Sequence, residues 1–137
     1  MAEVSVIIPN CNGEKYLREC LDSLKEQTFE DFEIIVVDNG SQDGSVKIIS
    51  EGYENVRLIG LDKNYGFSRA VNEGIKASEA PYVILLNNDT RADGDYIKAL
   101  YVAISEDERI FSVNPRMIQM YRDGFIDSAG DMYCCLG

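Results

Sequence analysis

The apolar run Tyr82-Val83-Ile84-Leu85-Leu86 stops abruptly at Asn87-Asn88-Asp89-Thr90. The unbroken run suits a strand buried on both faces of a sheet. Ending such a strand in amides, a carboxylate and a hydroxyl delivers oxygens to the sheet's carboxyl edge, where open α/β folds bind ligands. Asp89 is there the candidate ligand for a hard metal ion; the plainer alternative is a helix cap or loop turn. The pattern recurs after Ile35-Val36-Val37, where Asp38 is placed either to accept hydrogen bonds from a base or ribose or to close a turn. Ser41 and Asp43 suit the capping of a helix opening at Ser45, and Glu14 suits the dipole of a helix's first turn whatever else it does. Asn64-Tyr65-Gly66 is either a simple turn or a helix start facing a diphosphate.

Composition narrows the chemistry. The 137 residues include 13 Lys+Arg and 24 Asp+Glu, a net charge of −11, with no basic cluster of the kind nucleic acid requires. A small phosphorylated ligand stays open, with something other than Lys or Arg helping to neutralise it, as a divalent cation held by carboxylates would. There is no histidine, which removes Ser–His and Cys–His catalysis and the commonest zinc ligand. Cys11, Cys20, Cys134 and Cys135 lack C-x-x-C spacing and are expected as reduced thiols. No apolar run is long enough to span a bilayer, and Met1-Ala2-Glu3 leads straight into a strand, so the expected location is cytoplasmic.

The elements that must position these residues alternate. Val4-Ser5-Val6-Ile7-Ile8, closed by Pro9, is a first strand, and Asn10-Cys11-Asn12-Gly13 a loop with Asn12 as the expected helix cap. A helix follows from Lys15 to about Gln27, then a strand over 32–37, a short helix from Ser45, and a weaker strand over 56–59. Phe67, Ala70, Val71, Gly74 and Ile75 repeat at helical spacing, the fourth strand begins after Pro81, and a helix is expected over 96–105. Ile110 to Val113 and Met117 to Tyr121 are expected as further strands, with a turn at Arg122-Asp123-Gly124 before Phe125-Ile126. Such alternation predicts right-handed βαβ units and a mostly parallel sheet flanked by helices. Every strand then ends on the same edge, so Asn10, Asn12, Asp38, Ser41, Asn64, Asn88 and Asp89 are expected along one rim.

Four stretches in order carry a family resemblance. Residues 4–14 (VSVIIPNCNGE), 35–45 (IVVDNGSQDGS), 64–74 (NYGFSRAVNEG) and 86–90 (LNNDT) resemble the signatures of family 2 glycosyltransferases, which have a GT-A-type fold. The resemblance implies that Pro9, Asn10, Cys11, Asn12 and Glu14 line a nucleotide-sugar pocket with Ser41 and Asn88, that Asp38 meets a uracil or thymine ring, and that Asn64 and Gly66 lie near the nucleotide sugar. It implies that Asp89, the last carboxylate of a D-x-D-like motif, holds Mg²⁺ or Mn²⁺; Asn87 stands where the motif's first Asp would be. The implied reaction is inverting transfer from a UDP- or dTDP-sugar to a hydroxyl of a saccharide or lipid-linked acceptor. Its Asn-Asn-Asp form is similar to rhamnosyltransferase-like enzymes of bacterial surface polysaccharides. The resemblance also implies that 1–137 is a donor-binding part without its acceptor half, with the general base beyond Gly137, since Asp123, Asp127 and Asp131 sit in no base motif. Such a part is expected to turn over poorly alone, to allow peripheral membrane association, and to leave a face through which copies could pair. Two other classes stay open: a non-catalytic flavodoxin- or receiver-type module, which would want an acidic pair where Pro9 and Asn10 stand, and a nucleotidyltransferase, which would want a basic Gly-rich loop there.

Overall fold

The computed structural model describes residues 1–120, 122 and 124–128. A first unit, Met1–Ile97, alternates β1 (Val4–Asn10), α1 (Glu14–Lys25), β2 (Phe32–Asn39), α2 (Ser45–Gly52), β3 (Val56–Leu61), α3 (Phe67–Ala77) and β4 (Tyr82–Leu85). The four strands form one parallel sheet in the order β3-β2-β1-β4. The chain moves outward from β1 to β3, then crosses back to place β4 on the other side of β1. Right-handed crossovers therefore put α1 and α2 on one face and α3 on the other. Between β1 and β4 the winding reverses, and crevices for ligands form at such a point.

The core follows from strand alternation. Ile7, Ile35 and Val37 are buried with Ala70 of α3, and Ile59, Leu61 and Ala77 pack around them. Val4, Val6, Ile8 and Val36 point the opposite way and are buried, as are Leu17, Cys20, Leu21 and Leu24 of α1 and Ile49 of α2. β1 runs on through Pro9, paired with Val37. Residues Glu3 and Ile7 accept hydrogen bonds from β4 and the residue after it, so Pro9, two further on, aims its missing N–H at the same side. β4 has ended by then, its last partner being Ile7, so no ladder bond is lost.

Two strand expectations are corrected. β4 pairs only with β1 among the described residues, so it is an edge strand and not one buried on both faces. Val83 and Leu85 are 38% and 50% exposed, because α3 packs over β1 and β2 and leaves β4 uncovered on that face. Residues 110–113 form no strand. Ile110 is held in a turn by its N–H donating to the Asp107 carbonyl, and Phe111 is exposed to solvent.

α4 (Tyr96–Ser105) starts at the end of the first unit. The second unit, from Lys98 on, contains the antiparallel pair β5 (Met117–Ile118) and β6 (Ile126–Ser128). Tyr121, Asp123, Asp131, Cys134 and Cys135, named above from the sequence, lie outside the described residues. Among the described residues, no helix is long and apolar enough to cross a membrane.

Candidate functional site

The β1–β2 register places Asn10 beside Asp38 at the carboxyl edge, and both are nearly inaccessible, 1% and 3% exposed. A buried carboxylate must be hydrogen-bonded. Asn10 Nδ2 donates to Asp38 Oδ1 at 2.8 Å, and the Ser41 N–H donates to Asp38 Oδ2 at 3.0 Å. Asn10 Nδ2 also reaches Ser41 Oγ at 3.2 Å, while Asn10 Oδ1 accepts from Asn88 Nδ2 at 2.7 Å. One amide thus links the tips of β2 and β4. Gly13 must be glycine for this link, since a Cβ there would collide with Asn88 Nδ2 and Asn10 Oδ1.

Asn12 adopts a left-handed conformation, φ 53°, and is not the helix cap expected of it. Its N–H donates to Ser41 Oγ at 2.8 Å, and its Oδ1 accepts from the Gln42 N–H at 2.8 Å. The loops after β1 and β2 are therefore joined. The next residues reinforce the joint: Asp43 Oδ2 accepts from the Glu14 N–H, and Glu14 Oε2 accepts from the Gly44 N–H, both at 2.9 Å. Each carboxylate caps the other's helix, and Asp43 also accepts from the Ser45 N–H and Oγ. Desolvation pushes the Asp43 pKa up, but these hydrogen bonds outweigh it and hold the carboxyl below its ordinary range.

The third tip joins through Asn39, a residue with no role expected from the sequence. Its Nδ2 donates to Asn64 Oδ1 and to the Gly66 carbonyl at 3.0 and 3.1 Å, and its Oδ1 accepts from the Tyr65 N–H at 2.9 Å. Asn64 Nδ2 approaches Cys11 Sγ at 3.3 Å. Gly40, at φ +74°, turns the chain beneath this loop, and a Cβ on it would meet the Lys63 backbone at 2.5 Å.

The segment after β4 is fastened from below by α1 and by Gln27 just past its end. Cys20 Sγ donates to the Asn87 carbonyl at 3.6 Å, Ser23 Oγ accepts from the Ala92 N–H at 3.0 Å, and Gln27 Nε2 donates to the Asp93 carbonyl at 2.6 Å. Burial pushes the Cys20 thiol up to about 11, with nearby Asp89 adding to the rise, so it is a neutral structural thiol. Asp89 itself is exposed.

The structure gathers Asn10, Asp38, Ser41 and Asn88 into one hydrogen-bonded set, with Cys11, Asn12, Asn64 and Gly66 exposed around it and Pro9 at the strand edge. Glu14 faces α2. No cluster of three or more His, Cys, Asp or Glu that could hold a metal occurs among the described residues. Asp89 is the single carboxylate offered at the β4 tip. It fits a hard cation only as one ligand among oxygens brought by something else. The signals for the unexpected residues were present: Asn39 is an amide directly after Asp38, and Cys20 and Ser23 place polar atoms on the buried side of α1, with Gln27 just past its end.

The family described as glycosyl transferase family 2 matches residues 5–128. This chain belongs to glycosyltransferase family 2. As a family 2 domain it is 40% identical over 101 residues to the poly(ribitol-phosphate) beta-glucosyltransferase of Bacillus spizizenii, covering 69% of this chain and 15% of that enzyme. It superposes on S. aureus TarS 1-349 in complex with UDP with a TM-score of 0.71 and 31% identity, over 79% of this chain and 33% of that one. The mannosyltransferase PcManGT from Pyrobaculum calidifontis, in complex with GDP-Man and Mn²⁺, matches with a TM-score of 0.61 and 26% identity over 66% of this chain and 28% of its own. The fold is thus of the GT-A glycosyltransferase type, and the chain spans a third or less of each of these relatives. Family membership leaves the receiver-type and nucleotidyltransferase alternatives without support.

Proposed function

We propose that this chain is the donor-binding part of an inverting glycosyltransferase that takes a hexosyl or rhamnosyl group from a UDP- or dTDP-sugar. The single observation that carries the reading is the hydrogen-bonded line Asp38–Asn10–Asn88, which brings the β2 and β4 tips together beside Asp89. Asp38, oriented by Asn10 and the Ser41 N–H, faces the base. The loops bearing Cys11, Asn12, Asn64 and Gly66 surround the nucleoside and sugar. Asp89 would hold Mg²⁺ or Mn²⁺ together with the donor's diphosphate, and such an ion supplies Lewis-acid stabilisation of the departing nucleoside diphosphate. The Mn²⁺ with PcManGT and the UDP with TarS support this choice.

The general base that deprotonates the acceptor is assigned to a part of the full-length enzyme outside 1–137. The name of the Bacillus relative supports a saccharide or polyol-phosphate acceptor in bacterial surface polymer synthesis. The reading carries a cytoplasmic location, at the inner face of the membrane for a lipid-linked acceptor. Thermal unfolding with UDP or dTDP, with and without Mn²⁺, tests it. A shift that grows with the metal is expected, and no shift with either nucleotide at millimolar concentration overturns it.

A further inference from the structure

Asn39 is the last residue of β2 and only 4% exposed, yet its side chain serves a neighbouring loop and no part of the core. Both N–H groups and the carbonyl oxygen are engaged, and all three partners lie within residues 64–66. The amide's orientation is dictated by the backbone. The Tyr65 N–H needs an acceptor, and the Gly66 carbonyl needs a donor. Asn64 extends the hold. Its Oδ1, anchored by Asn39, also accepts from the Gly66 N–H at 2.8 Å, and its Nδ2 reaches Cys11 on the loop after β1. No other common side chain of this size offers two donors and an acceptor in this fork. A carboxylate would set an oxygen against Asn64 Oδ1 and the Gly66 carbonyl, and an aliphatic residue would remove all three of these bonds from the loop.

We infer that Asn39 is a positioning residue that fixes the loop of residues 64–66 in the shape that receives the donor, without touching the donor itself. The inference rests on the nucleotide-sugar reading above. It adds a specific expectation: the loop is preset before ligand arrives, because its anchor lies in the sheet and not in the ligand. Donor affinity is then sensitive to a buried residue that makes no contact with the donor.

The test compares the wild-type chain with Asn39→Asp, which keeps the acceptor and loses both donors. Binding of UDP-glucose, and in parallel dTDP-glucose, is measured by calorimetry with Mn²⁺ at pH 8 and pH 5. Amide hydrogen exchange at Tyr65 and Gly66 is measured without nucleotide. The variant is expected to bind about tenfold more weakly at pH 8, with faster exchange at Gly66 and unchanged exchange at Ile7 and Ile8 in the core. At pH 5 part of the loss should return, because burial and the facing Asn64 Oδ1 and Gly66 carbonyl raise the introduced carboxyl's pKa, and its protonated form regains one O–H donor toward the loop; a merely structural defect would show no such recovery. Asn64→Ala, which removes an exposed loop-side partner, is the second variant should Asn39→Asp fail to fold, and it too should speed exchange at Gly66. Equal affinity of wild type and a folded variant overturns the inference. Absence of binding by the wild type to either donor overturns the donor reading and with it the purpose assigned to Asn39, while the exchange data still report whether the anchor holds the loop.

Discussion

The tips of β1, β2 and β3 and the tip of β4 solve different problems on one sheet edge. At the first three, side chains bond to each other and to the neighbouring loops' backbone: Asn10 to Asp38 and Ser41, Asn12 to the Gln42 N–H, Asn39 to the Asn64 side chain and the backbone of Tyr65 and Gly66. At β4, Asn88 joins that network through Asn10, but the main chain beyond it is bound from below by Cys20, Ser23 and Gln27, and Asp89 is exposed. The first region is finished before any ligand arrives, so its ordering cost is met in folding. The second offers a rigid backbone and an unspent charge, which suits a group whose partner ion and oxygens arrive together. Preset polar networks give recognition at low entropic cost, whereas a free carboxylate keeps its affinity for a cation.

That contrast predicts unequal responses to mutation. The largest effect is expected for Gly40→Ala, where a strained φ and a clash with the Lys63 backbone act together. A loss of about 2 kcal/mol or more in urea unfolding, with loss of nucleotide binding, is expected. A neutral result would mean that the loop after β3 is soft and not preset. Next comes Asp38→Ala, which strips the buried Asn10 amide of an acceptor. It should cost about 1–3 kcal/mol and weaken UDP binding, and binding without a stability change would separate recognition from the network.

Asp43→Asn is expected to cost about 1 kcal/mol as a weakened cap. Because hydrogen bonds lower the folded pKa of Asp43 below its ordinary 3.8, its stabilising contribution is full above that value and is lost as pH falls through the lower, folded one. Acid unfolding of wild type and variant should therefore converge only below about pH 3.8. Least costly to the fold is Asp89→Ala, expected within about 0.5 kcal/mol of wild type, yet removing the Mn²⁺-dependent part of the thermal shift with UDP. If Asp89→Ala keeps that increment, the free carboxylate at β4 is not the cation's ligand and the two regions differ in stability alone.

Local pattern carried much of this fold. Helical spacing from Phe67 to Ile75 and β-branched runs at Val4–Ile8 and Ile34–Val37 set element types, and their alternation placed the strand ends on a common edge. Chain-local signals failed where the answer depended on a neighbour far away. The run from Tyr82 to Leu86 is apolar enough for a central strand, but exposure of Val83 and Leu85 is decided by where α3 lands, which is over β1 and β2. Asn12 has the type of a cap, yet its left-handed backbone aims it at Gln42, 30 residues on.

The sequence by itself determined which residues reach the rim, because strand direction and right-handed crossover follow from local periodicity and backbone chirality. Only the tertiary structure decided how each is used: Glu14 spent on the Gly44 N–H, Asn39 on the loop of residues 64–66, Asp89 left in solvent. Hydrogen-bond partners are a property of distances across loops, which no spacing along one chain encodes.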